Sequence, residues 1–109
     1  MTQVDAMLLS IAMEVPVALL IGLTQGVRMA FATACAAALG TMLTHPLVWH
    51  GATGLMPVIG YVPTVSIVEA FAVLGEWPLY MLAGWSARWA LAGSLLSNGV
   101  SFVVGLYLL

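Results

Sequence analysis

Four long apolar stretches separated by short polar breaks organise this chain. The pattern predicts helices over 6–24, 29–49, 64–85 and 89–109. Each is close to the roughly 20 residues needed to cross about 30 Å of hydrocarbon. Strands crossing a bilayer would alternate apolar and polar positions in segments of about ten, and runs such as 30–43 and 100–109 show no such alternation. The first break is Gln25-Gly26-Val27-Arg28 and the third is Ser86-Ala87-Arg88, so each flanking pair of spans should form a tight antiparallel hairpin. The middle break, 50–63, is predicted as a longer external loop. Gly51, Gly54, Pro57, Gly60 and Pro63 favour turns there. Met56, Val58, Ile59 and Tyr61 keep the segment apolar, so it should lie along the interface or over the bundle mouth. The expected architecture is an all-α integral membrane protein. Its single domain, 1–109, is a four-transmembrane-helix antiparallel bundle of two hairpins.

Composition supports that class. The 109 residues are 63% hydrophobic and 6% charged, which is too little charge to cover a soluble domain. The only basic residues, Arg28 and Arg88, fall in the first and third breaks. The positive-inside rule assigns those loops to the cytoplasm of a bacterial inner membrane, with both termini and 50–63 external. Trp49, Trp85, Trp89 and Tyr107 stand near predicted helix ends, where amphipathic aromatics favour the interface. The lone Cys35 reads as a small packing residue.

Charge becomes informative where it interrupts the apolar stretches. Three of the four acids, Glu14, Glu69 and Glu76, lie inside predicted spans. A charge at the bilayer centre costs about 2.5–3.5 kcal/mol on insertion scales, so intramembrane acids usually face a partner or a water path. At about 1.5 Å per residue, His45 and Glu69 share an outer layer, while Glu14, Glu76 and Asn98 lie deeper. The layout suggests a path of acids that enters from outside and stops near the midplane. A protonated glutamate is cheaper to bury and can exchange its proton for a cation. The bland alternative is a carboxyl group that only hydrogen-bonds between helices, worth about 1 kcal/mol or less.

Pro16 and Pro78 each follow a glutamate by two positions and are expected to kink their helices. Each would release the carbonyl four residues earlier, at Ala12 and Leu74, near the acids. The matched stretches Glu14-Val15-Pro16 and Glu76-Trp77-Pro78 also suggest a parallel pseudo-repeat of the two halves. Small residues at four-residue spacing, Ala32, Ala36, Gly40 and Thr44, then Gly93, Ser97, Ser101 and Gly105, read as helix-packing seams.

Other chemistry is poorly represented. The chain has no glycine-rich phosphate loop, zinc-ligand spacing or nucleophile elbow, so no cofactor or nucleic acid is implied. A metal role for His45 stays open. The expected function is binding or transport of a cation or proton at Glu14 and Glu76, with Glu69, Asn98 and a His45 vestibule. Two further readings stay open: an accessory subunit of a larger membrane complex, and an intramembrane acid/base enzyme on a lipid-like substrate. The expected partners are membrane lipids and either a second copy or a larger membrane protein, because four helices make a thin enclosure.

Four spans in 109 residues, with a glutamate midway through the first in Ile11-Ala12-Met13-Glu14-Val15, resemble the small multidrug resistance family of cation exporters. The resemblance implies that Glu14 is the proton/cation exchange residue of a homodimer. Glu69, Glu76 and Pro16 depart from that family's pattern.

Overall fold

A computed structural model describes residues 2–108. Four helices follow in order: α1 (Gln3–Leu23), α2 (Val27–Ile59), α3 (Tyr61–Ala83) and α4 (Ala87–Leu108). Each packs on its chain neighbours, and α4 closes back on α1 to complete a ring. Gln3 meets His45 while Gly22 meets Met29, so α1 and α2 run in opposite directions. Gly40 meets Glu76 while Gly51 meets Val68, which sets α2 antiparallel to α3. Among the described residues, α1, α2 and α3 are long and apolar enough to cross a membrane.

Local chemistry accounts for the helix ends. The Thr2 hydroxyl accepts the Asp5 backbone N–H at 3.1 Å, and the Asp5 carboxylate accepts the Thr2 N–H at 2.9 Å. This reciprocal capping box satisfies two amide donors at the start of α1.

The segment 50–63, expected as a loop, is helical on both sides of a single break. α2 continues for 33 residues through Ile59 with Pro46 and Pro57 inside it, a length of about 50 Å. Only Gly60, at φ 85, separates it from α3, and glycine takes that left-handed conformation without a Cβ penalty. Continuing the helix pairs backbone groups within the segment, which an open loop would leave to find other partners. Because Gln3 sits beside His45, the last turns of α2 and the first of α3 project beyond the start of α1.

The opposite end of the ring is tightly closed. A Cβ on Gly22 would stand 2.5 Å from the Met29 carbonyl oxygen and 2.6 Å from the Ala30 Cα, so α1 and α2 touch backbone to backbone. Ala18, Ala36, Ala37, Tyr80 and Ala90 form the buried core there. The Trp85 indole N–H donates to the Thr33 hydroxyl at 2.9 Å, and the Tyr80 and Ser97 hydroxyls pair at 2.8 Å. Gly22→Ala should therefore destabilise the protein by about 1–3 kcal/mol through overpacking. Its detergent-solution melting point should fall, whereas Gly99→Ala, with open space at its Cβ position, should leave melting unchanged.

The predicted seams are mostly interior. Ala36, Gly40 and Thr44 are buried on α2 with Ala32 half-buried; Gly93 and Ser97 are buried on α4 with Ser101 half-buried. Gly105 lies outside the residues whose burial is described.

Candidate functional site

The inward faces of α1 and α3 are narrow stripes. On α1 the buried residues are Glu14, Ala18 and Gly22; on α3, Thr64, Val68, Ala72, Glu76 and Tyr80 repeat at the same interval of four, with Val73 buried beside them. Residues four apart share a helical face, so an acid placed in either stripe must point into the ring. Gly40 on α2 makes the room: a Cβ there would collide with the Glu76 side chain.

Toward the start of α1 the ring opens around a cavity of about 470 Å³. Glu14, Glu69, Glu76, Asn98 and His45 all line it, drawn from four helices. Glu14 is 2% exposed and Glu76 is 0% exposed, so one chain alone encloses both. A second copy is not required to shield them. Glu69 and His45 are half-buried nearer the mouth, where Trp49, Tyr61 and Phe102 also contribute. Beyond the acids, the fully buried Ala18, Ala37, Tyr80 and Ala90 fill the ring. The cavity lining ends at the acid pair.

Thr41 stands between the two deep acids. Its hydroxyl donates to the Glu14 carboxyl and lies 3.5 Å from Glu76 Oε1. A threonine hydroxyl has one hydrogen and two acceptor lone pairs. It can donate to one carboxylate while accepting from the other acid in protonated form, which links them through a single atom. The second Glu76 oxygen, Oε2, has no hydrogen-bond partner among the described residues, a desolvation cost of about 1–3 kcal/mol or more if charged. A proton, a cation or water would relieve it. Asn98 is anchored by its amide N–H to the Ser94 carbonyl at 2.9 Å.

His45 lies in the interior of α2, 18 positions after its first residue. Its Nδ1 is 3.2 Å from the Gln3 amide nitrogen, and its ring stacks on Trp49 with centroids 6.3 Å apart. Among the described residues, no three His, Cys, Asp or Glu side chains are grouped so as to hold a metal ion. Pro16 and Pro78 lie inside α1 and α3, but both are exposed, as are Ala12 and Leu74. None of these four lines the cavity. The expectation that carbonyls freed by proline would serve the acids is not supported, because the prolines occupy the outward faces.

Among the described residues, no lysine or arginine lines the cavity. Arg88 packs over the Trp89 ring at 5.5 Å, beside a second hollow lined by Thr24, Gln25, Met29, Trp85 and Trp89. The acid-lined cavity is thus a site of one charge sign. Sequence reasoning missed Thr41, Gln3 and Tyr80. Thr41 follows Gly40 of the small-residue seam, which was the available signal, since a hydroxyl at such a seam can bond across it.

No protein-family model, curated protein or solved structure matches this chain. What the molecule presents is an all-helical fold, with three helices able to cross a membrane and carboxyl groups gathered around an internal cavity.

Proposed function

We propose that the chain is an integral membrane protein that binds or transports a cation in exchange for protons at Glu14 and Glu76. In this reading α4 is the fourth span, the acid-lined mouth and both termini face outward, and the Arg28 and Arg88 turns face the cytoplasm of a bacterial inner membrane. The observation that carries the reading is the fully buried Glu76 carboxyl, with one oxygen unpartnered, at the base of a cavity shared with Glu14 and Glu69. Glu69 and His45 form the vestibule and Asn98 supplies a neutral dipole beside the deep acids.

Cation and proton compete for the same carboxyl oxygens, so each must weaken the other's binding to the same degree. Apparent cation affinity should fall as pH is lowered. Vesicles containing the purified protein should take up cations against an imposed proton gradient, and loss of that uptake in Glu14→Gln and Glu76→Gln tests the assignment. Retention of full pH-dependent uptake by both variants would remove it.

Thr41 supplies a finer test. Thr41→Val deletes the hydroxyl between the acids at little change of shape. A hydrogen bond to a charged group is worth about 1.5–3 kcal/mol, so uptake should slow by roughly tenfold or more. Thr41→Ser should restore it. Equal rates in all three proteins would show that the hydroxyl has only a packing role.

A further inference from the structure

The acids are disposed at two depths. Glu14 and Glu76 meet around Thr41 at the base. Glu69 lines the same cavity seven positions nearer the mouth on α3, about 10 Å along the helix axis. The walls between the two levels are mostly apolar, with Leu9, Met13, Val48 and Ala72 beside the hydroxyls of Ser10, Thr44 and Ser101. A volume of about 470 Å³ greatly exceeds that of a bare metal ion and falls within the range of about 300–1,000 Å³ typical of organic-ligand pockets. A ligand with one charged head would satisfy the base and leave Glu69 facing an apolar body.

We propose that the cavity takes a linear α,ω-diamine or polyamine, with one ammonium at Glu14 and Glu76, the second at Glu69, and the methylene chain against the apolar walls. This deepens the proton/cation exchange reading and rests on it. An extended chain advances roughly 1.2 Å per bond, so a separation of about 10 Å corresponds to about six to eight chain atoms between the nitrogens. The unpartnered Glu76 oxygen, fully buried in the cavity wall, receives one of the ammonium protons. The mouth residues Trp49 and Tyr61 offer aromatic faces to a cation passing them.

Titration calorimetry on the full-length detergent-solubilised protein tests this with diaminoalkanes from diaminopropane to diaminodecane and with the matching 1-aminoalkanes. Affinity should peak at diamines of about six to eight carbons, at least tenfold above the monoamine of equal length. Glu69→Gln should erase that tenfold preference, bringing each diamine down to the affinity of its matching monoamine, and Glu76→Gln should weaken both classes. If affinity rises with chain length alike for monoamines and diamines, or Glu69→Gln leaves the diamine preference intact, the two-point reading is overturned. In that event Glu76-dependent monoamine binding keeps the exchange reading alive. If neither amines nor potassium or sodium bind in a Glu76-dependent way, both readings fall together.

Discussion

Cation uptake by vesicles containing Glu76→Gln protein is expected to fall to the level of protein-free vesicles, with insertion and melting preserved. Glutamine keeps the shape of glutamate, so the side chain still fills the space above Gly40 and the contact between α2 and α3 survives. It cannot release a proton or carry the charge that holds a cation. Glu14→Gln should give the same result, because its carboxyl meets the Thr41 hydroxyl that also approaches Glu76. Glu69→Gln should give a smaller loss, since its half-buried carboxyl guards the mouth. If the acids only held helices together, the order would reverse: melting would suffer and uptake would not. Vesicle uptake and detergent melting measured on the same preparations separate the two.

The second large effect is expected at Gly40. Adding one methyl by Gly40→Ala places a Cβ against the Glu76 side chain, at the base of the cavity. Either the carboxylate swings away from Thr41 or α3 moves off α2, at an overpacking cost of about 1–3 kcal/mol. Uptake should be lost with that stability. Combining Gly40→Ala with Glu76→Ala relieves the collision, so the double variant should melt higher than the sum of the single losses allows. Coupling between touching residues of this kind is typically 0.5–3 kcal/mol. Simple additivity would mean that Glu76 does not occupy the space over Gly40.

Much of this arrangement can be read from the chain because burying charge in an apolar protein is so costly. Once Glu14, Glu69 and Glu76 are placed in apolar helices, they have few places to go except inward. The interval of four that joins Glu14 to Ala18 and Gly22 specifies the α1 face. Other features depend on contacts between helices that no single segment encodes. Glycine and proline raise the tendency to turn without compelling one. Along 50–59 the helix holds instead, and Gly60 alone makes the turn. The proximity of Pro16 and Pro78 to acids in sequence misled for a geometric reason: two positions along a helix is more than half a turn, so proline and glutamate face opposite ways. Thr41 was hidden among small seam residues because nothing in its own neighbourhood marks the acids that α1 and α3 bring to it.

Glu76 and Thr41 complete the base of the cavity beside Glu14, and one chain buries both acids without a second copy.

Proton counting tests the central claim most directly. Purified protein in weakly buffered detergent solution at neutral pH is mixed in turn with potassium chloride, tetraethylammonium chloride and 1,6-diaminohexane dihydrochloride adjusted to the same pH, and proton release is followed with a soluble indicator dye. At least one of these cations should release protons in proportion to bound ligand, and the Glu14→Gln/Glu76→Gln double variant should release none. No release with any of the three, or equal release from the double variant, would contradict exchange at these acids.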